Sequence, residues 1–447
     1  MPALIALNRR VRRHALACAL AGCAVLVVSG CSSPPKPPQV TSRGAPVRII
    51  TAPPEVLALA NTFEDQFVAR DYGGQWNELA PRAQALWPSS AARVAMLTRK
   101  FAHAAVASVS VGGPSLVSTW TAPENPSLHV ANVWSFPVAV DFADAAALRP
   151  AGVGALFSMT SVQIVVDPLS GLAETLGEGP ESLDAPVILP AVVPRVSLEV
   201  PILMYHLVDQ VPPRSIEPST YGWELEVGLT TLPAAFDAQM AYLMSIHATS
   251  ISLQHLADAL LYGLPLPPHP FVITFDDGRL SPWTNAVPIL RQDGFTAVFF
   301  PCTGLIGGKV GPQTYMTAAE LQNLASTGFS VEDHTVNDDT DFFSAGPHTL
   351  DVLTNRTKDV LEHVIGAPIQ FIAYTGLWPW PTSSEGATQE ASMFATLASY
   401  GYVGGLQDLR IDADAVVSTA LWQLPRLRVG LTTGLGFFER WFGVQPS

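Results

Sequence analysis

The chain has 447 residues, a formal net charge of −14, 48% apolar residues and only 14% charged ones. That length suits two or three domains, and the apolar share is ample for large cores. The acidic balance excludes nucleic acid and anionic lipid as partners held by general electrostatics, and leaves a neutral glycan open.

The N-terminus carries Arg9, Arg10, Arg12 and Arg13, then an apolar run over residues 15–28 and small residues before Cys31. A basic head, a short apolar core and small residues at the cut describe an export signal over residues 1–30, not a spanning helix. Those residues hold four arginines and no acid, so removing them takes the net charge from −14 to −18. Val28-Ser-Gly-Cys31 resembles a bacterial lipobox, which implies a lipid on Cys31 and a mature protein anchored at the extracytoplasmic face of a cell membrane. Cys18 and Cys23 fall within the removed segment, which leaves Cys302 alone and rules out an intramolecular disulfide. Its setting, Val298-Phe-Phe-Pro-Cys302, reads as that of a buried structural thiol.

Residues 31–52 are rich in Pro and Ser and read as a tether. Helical spacing follows over residues 53–79, with Val56, Ala60, Phe63 and Phe67 on one face, and again over residues 80–104. From 105 to 176 the pattern alternates, as in Leu128-His-Val-Ala-Asn-Val-Trp134 and Val138-Ala-Val-Asp-Phe142, which predicts strands. Helices followed by an antiparallel sheet make a small α+β domain over residues 53–177, an order that resembles an NTF2-like cone. Residues 178–199, with four prolines and little periodicity, read as a linker.

From residue 200 to 447 apolar strand-like runs alternate with helical ones. Strands are expected at Pro201-Ile-Leu-Met-Tyr-His206, at residues 271–275, 296–300, 329–331, 369–373 and 402–405, and at the final Leu424-Pro-Arg-Leu-Arg-Val429. Helices are expected over residues 232–247, 283–293, 317–327, 350–365 and 392–400. Units of this kind predict an α/β fold with a distorted or incomplete (β/α) barrel, whose chemistry sits where strands end.

One such end is Phe271-Val-Ile-Thr-Phe-Asp-Asp-Gly278. Two adjacent carboxylates at the exit of an apolar strand repel one another and need a cation or a shared proton. A bound metal, a general base, or one of each would serve. The other strand ends supply His206, His334, Asp338 and Asp339, and ligand-type side chains from three ends can converge on a divalent ion.

These residues carry a resemblance. Thr274-Phe-Asp-Asp-Gly278, Pro201-Ile-Leu-Met-Tyr-His206 and Leu424-Pro-Arg-Leu-Arg-Val429 match motifs of the NodB-homology polysaccharide deacetylases (carbohydrate esterase family four), in the poly-N-acetylglucosamine deacetylase branch. The resemblance implies a metal-dependent hydrolase that removes N-acetyl groups from an envelope polysaccharide, with zinc the expected divalent metal. It implies Asp276 as general base, Asp277 and His334 as metal ligands, and His206 as general acid. His334-Thr-Val-Asn-Asp338 falls where the family carries HTxxH, so Asp338 stands in the third ligand's place. Ile372-Ala-Tyr-Thr-Gly-Leu377 departs from the branch's FAYPYG at Thr375 and Gly376. Tyr374 and Trp378 are the expected sugar-binding aromatics. The rival reading is a deacetylase-fold lipoprotein that has lost the metal and serves as a glycan-binding or scaffold protein.

Overall fold

The structure, a computed structural model, describes residues 51–102, 106–122, 125–142, 157–166, 173–176, 194–211, 223–338, 342, 345–376, 384–410 and 416–443. The export signal, Cys31, the tether up to residue 50, most of the linker, Asp339 and Trp378 lie outside these residues. No helix among the described residues is long and apolar enough to cross a membrane.

The N-terminal layer opens with α1 (Pro54–Val68), whose first position is a proline, where a missing N–H costs nothing. It buries Val56, Ala60, Phe63 and Phe67 on one face. Helix α2 (Ser90–Lys100) starts from Ser89, whose hydroxyl accepts from Ala92 N at 3.1 Å, and carries Arg99 and Lys100 in its last turn. Then come β1 (Val106–Val111), β2 (Ser115–Ala122), β3 (Asn125–Phe142), β4 (Phe157–Val166) and β5 (Ala173–Thr175). They pair antiparallel in the order β1-β3-β4-β5, with β2 also on β3. Residues 128–134 and 138–142, expected as separate strands, are one long strand. Pro137 lies inside it opposite Ser161, and its carbonyl still accepts from Gly112 N at 2.7 Å.

The second layer holds β6 (Ile202–Tyr205), α3 (Leu253–Tyr262), β7 (Pro270–Phe275), β8 (Val298–Phe299), β9 (Ser330–Val331), β10 (Phe371–Ala373), β11 (Gly404–Arg410) and β12 (Leu424–Arg428). These strands are parallel, in the spatial order β9-β8-β7-β6-β12-β11-β10. Every residue of β6 is buried, as expected of a parallel strand covered on both faces. An isolated parallel bridge, Asp333 to Ile372, joins the two ends of that order. There Asp333 N donates to Phe371 O at 3.2 Å and Ala373 N to Asp333 O at 2.9 Å. The sheet therefore curls back on itself as the distorted (β/α) barrel expected from the alternation.

The helices differ from the sequence pattern in several places, and Trp223–Leu229 and Leu435–Phe442 are helices it did not suggest. Residues 350–365 are two helices, Pro347–Leu353 and Asn355–Ile365, broken at Thr354. The helix expected from 392 begins at Ser384. Helix α3 was not expected at all: nine of its residues, Leu253 and then His255 through Tyr262, are buried, so it shows no polar face to reveal its period. It is enclosed because α2 packs on it. Lys100 pairs with Asp258, Arg99 donates to Tyr262 O, and the apolar cluster runs without a break from Phe63 and Phe101 to Leu256 and Leu260.

Candidate active site

The site sits where β6, β7, β8 and β9 end. Strand β7 stops at Phe275, and Asp276 and Asp277 are the next residues. Asp277 has φ 70° and Gly278 φ 74°, so two left-handed residues in a row turn the chain sharply. Asp accepts that region better than most side chains, and glycine enters it freely. The turn sends the two carboxylates to different partners.

Asp276 is 1% exposed and faces a guanidinium. Arg426, fully buried on β12, reaches across β6 and places Nη1 2.7 Å from Asp276 Oδ1, while its Nε donates to Gln407 O at 2.7 Å. On the other side His206 Nε2 lies 3.9 Å from Asp276 Oδ2, and among the described residues His206 Nδ1 is buried with no hydrogen-bond partner. Burial alone would push the Asp276 pKa up; Arg426, with the imidazoles of His334 and His206, outweighs it and holds the carboxyl below its usual range.

Asp277 Oδ2 accepts from Arg279 Nε at 2.9 Å, and Arg279 Nη1 pairs with Glu226 at 3.2 Å. Its Oδ1 lies 3.6 Å from His334 Nε2. His334 Nδ1 is 2.8 Å from Ala373 O, and a carbonyl only accepts, so Nδ1 carries the proton. In the neutral ring that leaves the Nε2 lone pair facing Asp277, the tautomer a metal ligand needs. The loop bearing His334 is braced by Asp333, which accepts from Thr335 N at 3.0 Å, from Thr357 Oγ1 at 2.6 Å and from the Tyr402 hydroxyl.

The charges test whether a cation fits. Burial works against a charge on His334, yet Asp276, Asp277 and Asp338 overcome it and push its pKa up to about 10. Asp276 pairs with Arg426 and Asp277 with Arg279, which Glu226 shares, while Asp338 adds its charge at His334, so among the described residues the carboxylates around the site outnumber its guanidiniums. A divalent cation offsets that excess, and without it the His334 imidazole takes a proton instead. The residues present fit a divalent ion.

Of the residues expected from the sequence, the structure brings Asp276, Asp277, His206 and His334 together. Asp338, at φ 54°, lies near enough for its charge to act on His334 and Cys302. Among the described residues, the one group whose ligand atoms all fall within 4.8 Å is Asp277, Cys302 and His334, and Asp338 is not in it. Tyr374 is fully buried, its hydroxyl donating to Trp422 O at 3.0 Å and its ring 5.5 Å from that of Phe342. Arg426, Arg279, Glu226 and Cys302 were not read as part of the site. Arg426 stood inside the quoted Leu-Pro-Arg-Leu-Arg-Val run, and Cys302 just past a strand end.

Residues 264–389 match the family model described as Polysaccharide deacetylase. That stretch is similar to the polysaccharide deacetylase family. A curated relative, YxkH of Bacillus subtilis strain 168, itself only provisionally described as a polysaccharide deacetylase, is 33% identical over 66 residues. That match covers 15% of this chain and 22% of YxkH, so the chain spans about a fifth of that relative. Among solved structures, the Streptococcus pyogenes deacetylase PplD in complex with acetate is 21% identical, with a TM-score of 0.46 over 56% of this chain and 100% of that one. BC0361, a polysaccharide deacetylase from Bacillus cereus, is 18% identical, with a TM-score of 0.43 over 69% of this chain and 77% of that one.

Proposed function

We propose that this protein is a metal-dependent deacetylase that removes N-acetyl groups from an N-acetylglucosamine-containing envelope polysaccharide, held outside the membrane by a lipid on Cys31. The observation that carries the reading is the divergence of two adjacent carboxylates, Asp276 toward Arg426 and His206, and Asp277 toward His334.

Asp277 and His334 would hold the divalent ion, which supplies Lewis-acid polarisation of the acetamide carbonyl and lowers the pKa of water. Asp276, kept ionised by Arg426, takes a proton from the attacking water as a C–O bond forms at the acetamide carbon. A carboxylate held below its usual pKa is a weak base toward bulk water, so it suits water already acidified. His206 then gives a proton to the amide nitrogen as the C–N bond breaks, because an amide anion is too poor a leaving group. Water is consumed, and acetate and a free amine leave.

Acetate release from a panel of N-acetylglucosamine oligomers tests the reading on the full chain. Asp276→Asn should cost about 10²- to 10⁴-fold in rate, the usual share of a general base. Undiminished release by that variant sinks the mechanism. Absence of bound metal, with glycan affinity unchanged in Asp276→Asn, favours the scaffold reading instead.

A further inference from the structure

We propose that Cys302 completes the cation site as a thiolate ligand, so that the ion is held by Asp277, Cys302 and His334 from three neighbouring strand ends. The proposal rests on the metal-dependent reading above and specifies its third ligand. Strand β8 lies between β7 and β9 in the sheet, so the segment after it passes between the two residues already assigned. Both flanks of that segment are pinned. Gly278 has no side chain, and a Cβ there would sit 2.7 and 2.8 Å from Pro301 Cβ and Cα, so glycine is what admits Pro301 and Cys302 against the Asp277 turn. Cys302 N donates to Asp277 O at 3.4 Å. On the far flank Thr303 N donates to Thr335 O at 3.0 Å and Gly304 N to Val336 O at 2.7 Å, which locks the segment to the His334 loop.

The thiol is buried and donates to His334 O at 3.3 Å, which holds Sγ over the histidine's own backbone. When a divalent ion binds, the S–H bond breaks, a sulfur–metal bond forms, and the proton goes to solvent. Asp338, at the position where a ligand was expected, is not in the group of Asp277, Cys302 and His334. One sulfur, one nitrogen and one oxygen donor suit zinc or cobalt over magnesium or calcium, and three protein ligands leave a position open.

Cobalt(II) added to the metal-free full chain tests the assignment through its thiolate charge-transfer absorption in the near ultraviolet. The band should saturate at one equivalent and vanish in Cys302→Ser. Cobalt affinity in that variant should fall at least the roughly 10- to 100-fold that loss of an outer-shell partner already costs. The band should survive in Asp338→Asn, and in a chain with Cys18, Cys23 and Cys31 changed to serine, which leaves Cys302 untouched. Stoichiometric cobalt with no thiolate band, a band that persists in Cys302→Ser, or one lost from the triple serine chain overturns the thiolate and leaves the metal-dependent reading standing. Failure of the wild-type chain to bind cobalt overturns both.

Discussion

Replacing Arg426 by methionine removes the cation from a fully buried pair and leaves Asp276, 1% exposed, with His206 3.9 Å away. Breaking a buried pair by deleting one partner costs about 3–5 kcal/mol, since the remaining charge has neither water nor a counter-ion. The lost donation to Gln407 O adds about 1 kcal/mol. The Asp276 pKa is depressed in the native protein, so its contribution is present above the ordinary aspartate value and lost as pH falls through the native one. In the variant the carboxyl is raised instead, and protonation relieves it. The gap between wild type and Arg426→Met should therefore be widest near neutral pH and narrow on acidification. Urea unfolding at pH 7 and pH 5 measures this, and the acid limb of kcat/KM for acetate release should move to higher pH. Asp276→Asn combined with Arg426→Met should cost less than the two singles together, because the second change removes the stranded charge. An unaltered unfolding midpoint, or strict additivity in that cycle, would refute the reasoning.

Gly278→Ala combines a left-handed alanine, roughly 1–2 kcal/mol, with overlap against Pro301, about 1–3 kcal/mol. Its melting temperature should drop and cobalt affinity should fall with it; an unchanged melting temperature would show that the turn tolerates a side chain. His255 is buried beside Pro265 O, and burial takes its pKa down to about 4 from 6.5, so stability present above 6.5 is lost as pH falls toward 4, by roughly 3 kcal/mol. Burial raises Asp258 to about 6, which stabilises the native state over nearly the same interval and masks the loss. His255→Gln should remove the histidine's loss, so its urea midpoint should fall less, or rise more, between pH 7 and pH 4.5 than that of wild type; parallel curves would refute the assignment. Removal of divalent ions by a chelator should abolish acetate release and added zinc restore it, whereas activity that survives exhaustive chelation would rule out metal dependence.

The barrel was legible because its strands are short apolar runs ending in turns, and the alternation with helices survives in the sequence. The carboxylate pair was legible for a related reason: charge at the end of an apolar strand has no structural excuse. What escaped were residues whose surroundings come from distant parts of the chain. Arg426 reads as an ordinary strand arginine until β6 brings it to Asp276. Cys302 reads as apolar filler because its neighbours in sequence are Phe299, Phe300 and Pro301, whereas its neighbours in space are Asp277 and His334. Helix α3 is hidden by its own burial, since an element enclosed by two layers loses the polar stripe that pattern reading relies on. Tyr374 matched a family motif, but its depth in the core depends on Phe342 and Trp422, from separate segments.

The contact of α2 with α3 has a consequence for how this protein can be divided. A cut near residue 199, at the end of the linker expected from the sequence, would bare Leu256 and Leu260 and separate Asp258 from Lys100. The severed barrel would present a sticky flank to its own copies and to chaperones, and its poor yield would look like a failure of the catalytic fold. The N-terminal layer thus keeps the apolar side of the helix it covers out of water, and loss of either half should send the other toward aggregation and proteolysis.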